Sequence, residues 1–241
     1  MKKIILTILS FIVLSSTVSA NTCNSEWIVK LNNKGEKEII NTVTNEIVTN
    51  YYNSSSDGNN SSISPEQMVE ILNTPEQNTN ESSDFNSESI STYEVPTSYS
   101  QTSFSRIWID YVYGPSVKVT NDVIGKMQIT SSCSRTFSSS FGASLEMSLD
   151  LRNNIIASLD GRYESSLTST TSYTAEIPSG YIGHIAFKPV YLKSYGTATR
   201  KTYSMSGYLL NTQTFEAYGQ TPVKLANGSL DGVYYTVSRK L

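Results

Sequence analysis

Among 241 residues there is one histidine, there are two cysteines, and only 16% are Asp, Glu, Lys or Arg. Each scarcity removes a class of chemistry. The single histidine, His184 in GYIGHIAF, is the only imidazole a catalytic pair can use, and no G-x-S-x-G elbow accompanies it. A zinc site built from one His and two Cys needs several carboxylates, and no ligand spacing marks them. H-E-x-x-H, Gly-rich phosphate loops and EF-hand loops are missing from the chain. Paired carboxylates for glycoside hydrolysis lie far apart in sequence, so spacing selects no pair. The expectation is a non-enzymatic protein with no catalytic residue, no metal and no cofactor.

Positive charge is scarce as well. With 18 basic against 21 acidic residues, the net charge is −3, the opposite of the concentrated basic face that nucleic acids require. The densest basic group, Lys188, Lys193, Arg200 and Lys201, reads as a solvated strand face. No apolar run beyond residue 20 reaches the ~18–20 residues of a spanning helix.

What the chain does contain begins with MKKIILTILSFIVLSSTVSA. Lys2 and Lys3 precede an apolar stretch from Ile4 to Leu14, and Val18-Ser19-Ala20 forms a small-residue cleavage site. This is the pattern of a secretory signal peptide over 1–20. Ala20-Asn21-Thr22 before Cys23 lacks the small-residue box of a lipoprotein. Cleavage takes the basic count to 16 and the net charge to −5. An exported chain with Cys23 and Cys133 permits a disulfide; the alternative is two unpaired thiols. A bridge would close 110 residues and contribute on the order of 4–5 kcal/mol in the chain-entropy picture.

Ser, Thr, Asn and Tyr are abundant, which with few charges fits an all-β exterior. Residues 21–102 form a polar, Asn/Ser-rich N-terminal region. Within it, Trp27–Leu31 and Ile39–Val43 flank the turn Asn32-Asn33-Lys34-Gly35, a candidate hairpin within 26–48. In SPEQMVEILNTPEQ, Ser64 can N-cap, Pro65 suits the first turn and Gln67 completes a capping box. Met68, Ile71 and Leu72 make an apolar stripe and Pro75 stops it, predicting a short helix over 65–73. The Asn/Ser tract after Tyr52 and residues 78–101 read as flexible linker.

From Ser103 to Leu241 the pattern is strand after strand, a β domain: 105–114, SVKVT, KMQIT, 181–196 with Pro189 marking an edge or bulge, and YSMSGYLL, TFEAYG and GVYYTVSRKL. The fold class expected is all-β, an elongated antiparallel sheet or sandwich with a long Ser/Thr-rich hairpin. A mostly disordered N-terminal extension carries one short helix.

FGASLEMSLDLRNN (141–154) alternates strictly, with Phe141, Ala143, Leu145, Met147, Leu149 and Leu151 apolar. IIASLDGRYESSL continues in odd positions, Ile155, Ala157 and Leu159. Antiparallel partners share a face, so paired numbers must have an even sum. A three-residue turn, Arg152-Asn153-Asn154, pairs Leu151 with Ile155 and Met147 with Leu159; a five-residue loop over 152–156 also keeps the faces matched. The alternation on both arms outweighs a helical reading of ASLEMSL. The hairpin's greasy face faces either a core or a bilayer. The 16 tyrosines can stack sugars, sit at a membrane interface or pack in a β core.

This hairpin lies between TSSCSRTFSSS (130–140) and SSLTSTTSYT (165–174) and leaves through AEIPSGYIGHIAF. The arrangement over about 115–200 resembles the pore-forming region of aerolysin-like β toxins, the aerolysin, epsilon-toxin and mosquitocidal group. The strand ending at Pro178-Ser179-Gly180, before Tyr181 to Tyr191, also resembles exported bacterial β proteins of unassigned function. The first resemblance implies a secreted, toxin-related monomer in solution that docks on a receptor, assembles into a homo-oligomer on membranes and inserts hairpins into a shared barrel. Phe141, Leu145, Met147, Leu149, Leu151, Ile155 and Leu159 are then the candidate membrane-facing residues. Phe141 to Leu151 spans 11 residues, and a tilted barrel strand needs about 9–11. The chain departs from that family in its second arm, with Gly161 and Ser165 on the apolar face, and in a poor candidate for a receptor domain. The alternative is a secreted module that binds cell-surface glycans or a receptor without insertion. Mass spectrometry of protein recovered from culture medium should show a mature N-terminus at Asn21; an intact Met1 on exported protein would contradict the signal peptide.

Overall fold

The structure is a computed structural model that describes residues 27–54, 61–74, 92–109, 112–120 and 125–241. Residues 1–20, read above as a signal peptide, Cys23 and residues 78–91 lie outside the described residues.

The chain opens with a hairpin of β1 (Trp27–Leu31) and β2 (Lys37–Asn41). Asn32 Oδ1 accepts from the Lys34 and Glu36 amides at 2.9 Å, and Gly35 takes the left-handed conformation that closes the turn. β2 stops at Asn41, two residues short of the Val43 expected, because the buried Asn41 turns the chain. Its Oδ1 accepts from the amides of Val43 and Thr44. β3 (Ile47–Asn53) and the two-residue β4 (Ser61–Ser62) follow, then α1 (Pro65–Asn73). Ser64 and Gln67 make the reciprocal capping box, and Met68 and Leu72 are the buried stripe. Thr74 is extended, as a residue preceding proline tends to be.

The β region comprises β5 (Thr92–Trp108), β6 (Val112–Tyr113), β7 (Val117–Val119), β8 (Lys126–Ser138), β9 (Ser140–Ala143), α2 (Leu149–Ser158), β10 (Ser166–Pro178), β11 (Tyr181–Ser204), β12 (Leu209–Pro222) and β13 (Gly232–Lys240). The protein is all-β, with antiparallel sheets and, among the described residues, two short helices. β11, 24 residues long, is the axis of an 11-stranded sheet. One edge runs against β5, β6 and β7 in succession, from Ser204↔Thr92 to Tyr181↔Val119. The other edge pairs with β13 through Pro189 and with β12 from Tyr191 onward. Residues 92–101, expected to be linker, are strand, because their Thr, Ser and Tyr side chains suit a pleated ladder when a partner edge exists.

The N-terminal strands are not a separate extension. β3 pairs with β13, so the sheet runs β1-β2-β3-β13-β11 and the expected boundary near residue 102 falls inside one hydrogen-bonded sheet. Residues 185–192 of β11 are buried on both faces. On one face Ala186, Val233, Tyr235 and Val237 meet Trp27, Ile39, Val48, Met68 and Leu72. On the other, Ile185, Phe187 and Tyr234 meet the β8–β10 ribbon through Ile129, Leu167, Ala175 and Ile177.

Lys188 shows how tightly α1 is seated. Expected on a solvated basic face, it is instead buried, and its Nζ donates to the Ile71 carbonyl at 2.7 Å. A cation thereby meets an unpaired carbonyl in the last turn of a helix, where the dipole favours it. Lys188→Met takes away that charged donor at a cost of about 1–3 kcal/mol. The expected result is a lower Tm and faster amide exchange across 65–73; unchanged exchange in α1 would show that the contact does not hold the helix.

Candidate functional site

The long hairpin exists, but it is made of what were read as its flanks. β8 and β10 pair over 13 positions, from Pro178↔Lys126 to Ser166↔Ser138, and form a two-stranded sheet of their own. Its packed face carries Ile129, Phe137, Leu167, Tyr173, Ala175 and Ile177. Its outer face carries a hydroxyl ladder, with Thr130 against Thr174 at 3.0 Å and Thr136 against Thr168 at 2.9 Å. Inside, Ser169 and the Tyr234 hydroxyl are 3.1 Å apart, and the Tyr173 and Tyr234 rings stack with centroids 3.7 Å apart. Burial drives the Tyr173 hydroxyl pKa far upward, with the neighbouring tyrosines adding to it, so Tyr173 stays neutral. Cys133 stands opposite Thr171 in this ladder, while Cys23 lies outside the described residues.

Residues 139–165 join the two arms as a strap laid across the far half of the sheet. The structure replaces the expected 141–167 hairpin here. β9 pairs Ser140–Ala143 with the free edge of β12, and Leu149–Ser158 is helical, so Arg152, Asn153 and Asn154 form no turn. Leu151 and Ile155 are not paired strand residues. The reason lies in the spacing. Leu151, Ile155 and Leu159 are four apart, which satisfies period two and also marks one face of a helix. Ser148 caps the helix, its Oγ accepting from the Leu151 amide at 3.2 Å, and Asp150 suits the first turn. Asp160 and Gly161, both with positive φ, end it.

The candidate membrane-facing residues therefore divide. Leu151, Ile155 and Leu159 are completely buried; Leu151 and Ile155 pack against Ala198, Phe215 and Ala217. Phe141 and Met147 pack around that cluster, with the Arg152 guanidinium 5.0 Å above the Phe141 ring. Leu149 is 71% exposed because it falls off the helix's buried stripe, and Leu145, in the segment between β9 and α2, is partly exposed.

Polar contacts fasten the strap along its length. β5 is bulged near Pro96, where the register shifts opposite Arg200, and the Thr97 carbonyl there accepts from Asn154 Nδ2 at 2.7 Å. Ser158 Oγ lies 2.7 Å from the fully buried Ser194 Oγ, which also meets the Tyr99 hydroxyl at 2.9 Å. At the strap's end, Thr221 Oγ1 bonds both the amide and the carbonyl of Glu164.

Two features lacked a signal in the patterns above. A cleft of about 610 Å³ lies beside α1, with Trp108, Gln67, Glu70 and the Arg106–Asp231 ion pair on its wall. Burial raises the Asp231 pKa, opposed by Arg106. The turn between β11 and β12 exposes Met205, Tyr208, Leu209 and Leu210; Ser206-Gly207 was the available cue for it. His184 is half-buried on β11 with the Tyr113 ring edge-on at 4.3 Å, and its Nε2 has no hydrogen-bond partner among the described residues. Burial lowers its pKa, partly offset by Glu46. Among the described residues no three His, Cys, Asp or Glu side chains gather as a metal site, and no helix is long and apolar enough to cross a membrane. Compared with family models, curated proteins and solved structures, the chain matches none.

Truncation separates helix from hairpin in solution. Leu151→Ala or Ile155→Ala should cost about 2–5 kcal/mol in urea unfolding, whereas Leu149→Ala should stay within about 0.5 kcal/mol. Equal costs at 149 and 151 would restore the strand.

Proposed function

We propose that this is a secreted, non-enzymatic β protein that acts at membranes, in the manner of the aerolysin-like pore formers it resembles, by releasing residues 126–178. One observation carries the reading: the β8–β10 ribbon exchanges its ladder hydrogen bonds only with itself. Its departure leaves the ladders of the 11-stranded sheet intact apart from the four-residue pairing of β9 with β12. A segment that must leave and insert needs that separation, because breaking a central ladder strands unsatisfied backbone groups.

What holds the segment is mostly apolar contact. Fully burying a side chain such as Leu151, Ile155 or Leu159 contributes about 1.5–3 kcal/mol. Hydrocarbon compensates that loss where water does not. Released and extended, Phe141–Leu151 covers a bilayer's apolar thickness as a tilted strand. Its intervening Ser144, Glu146, Ser148 and Asp150 then face a lumen. Backbone satisfaction in lipid requires a closed barrel, so several copies must assemble on the membrane from monomers in solution.

A second reading, binding to a cell-surface glycan without insertion, is favoured by the cleft at Trp108. An indole wall beside Gln67, Glu70, Arg106 and Asp231 offers a stacking face with polar groups, which is sugar-binding chemistry.

A disulfide lock tests release. Ser158→Cys with Ser194→Cys joins positions whose hydroxyl oxygens are 2.7 Å apart. The wild-type protein should release dye from vesicles and form detergent-resistant rings. The oxidised double variant should lose release by on the order of tenfold or more, and reduction should restore it. Full release with the lock closed overturns the deployment. No release and no oligomer at micromolar protein on several membranes overturns pore formation, and glycan-array binding without release transfers support to the cleft.

A further inference from the structure

We infer that the β11–β12 turn is a lipid-contacting tip that seats the protein on a bilayer surface. The inference rests on the membrane reading above but uses a different part of the molecule. Within six residues, Met205 and Tyr208 are each 75% exposed, Leu210 57% and Leu209 52%. Met205 and Tyr208 on the turn, with Leu209 and Leu210 at the start of β12, put four large apolar side chains in water within six residues, unlike the scattered exposed leucine any surface tolerates.

The turn's shape favours lipid over protein. It is convex and ends two long strands, so it offers far less than the about 800 Å² per partner of a stable protein interface. A deformable apolar phase accepts such a wedge without a matching groove.

Its polar groups are largely turned in on themselves. The Ser204 amide donates to the Tyr208 carbonyl at 2.8 Å, and the Gly207 amide to the Ser204 carbonyl at 2.9 Å. The Tyr208 amide donates to Ser204 Oγ at 3.1 Å, and Ser204 and Ser206 hydroxyls are 2.9 Å apart. Gly207, at φ 85°, allows the closure. Entry into the boundary between headgroups and acyl chains penalises each unpaired amide, and this turn has few to lose.

The charges around it match a headgroup layer. From Thr197 to Phe215 the only charged residues are Arg200 and Lys201, in a chain of net charge −3. Lys201 is exposed a few residues behind the apolar tip, at the depth where lipid phosphates would lie, while the Arg200 guanidinium donates to the Glu146 carbonyl at 3.1 Å. In the backbone register β5 places Glu94 opposite Thr202. Tyr203 and Tyr208 are aromatic residues of the kind that settle at the membrane interface. The occupant is therefore the surface of a bilayer containing anionic lipid.

The test is co-flotation of full-length mature protein with vesicles of phosphatidylcholine and phosphatidylserine. Met205→Ser, Leu209→Ser and Leu210→Ser combined should keep the wild-type Tm, since all three side chains are largely exposed. The triple variant should bind vesicles on the order of tenfold less. Tyr208→Trp should shift its emission to the blue on the same vesicles and be quenched by brominated acyl chains. Wild-type protein that does not float, a triple variant that floats equally, or a Tyr208→Trp reporter left unquenched overturns the tip. Loss of self-association in the triple variant without lipid assigns the patch to a second copy and also overturns it. Flotation without dye release keeps the tip and removes the pore, and release unaffected by the triple substitution does the reverse.

Discussion

Everything in the sheet depends on β11 keeping both edges and both faces occupied while it changes partners half-way. The change falls at Pro189, which has no amide to give and whose carbonyl accepts from Ile109 at 3.1 Å. The next amide, of Val190, turns to Asp231, and the Val190 carbonyl accepts from Val223. β13 ends and β12 begins across this junction. The facing residue must be glycine, since a Cβ on Gly232 would lie 2.4 Å from the Phe187 ring and 2.6 Å from the Lys188 carbonyl. A proline inside a sheet normally signals an edge; here it marks the place where one edge is handed from one strand to the next.

That handover divides the molecule into two halves with different covers. Near β13 the sheet is buried by α1 on one side and by the ribbon on the other, with Lys188 and the Tyr173–Tyr234 stack adding specificity. Near β12 the cover is the strap, held by three fully buried aliphatic residues, by the β9–β12 ladder and by polar contacts at Ser194, Thr97, Thr221, Gln101, Arg200 and Lys224.

Much of the local structure was legible because its causes are local. Ser64, Pro65 and Gln67 announce α1, and Asn32 with Gly35 announces the first turn. The Ser/Thr runs announce a long ribbon. What sequence could not convey was partnership. Nothing in Ile47–Asn53 names Gly232–Lys240 as its neighbour, and Thr92–Gln101 looks like linker until β11 supplies an edge. The strap was misread for a sharper reason: residues four apart obey both periodicities, and Ser148, the cap that decides between them, looks like any polar position of a strand. Leu149 is the discriminating residue, apolar by pattern and exposed in fact.

The last strand of the chain, β13, lies between β3 and β11, in the middle of the sheet rather than at its rim. Ser238 is partnered with Ile47, a separation of nearly the whole described chain. β3 therefore reaches its partner β13 only across that separation, and loop closure over such a distance is slow. If the chain is exported as proposed, this ordering delays completion of the sheet until β13 has crossed.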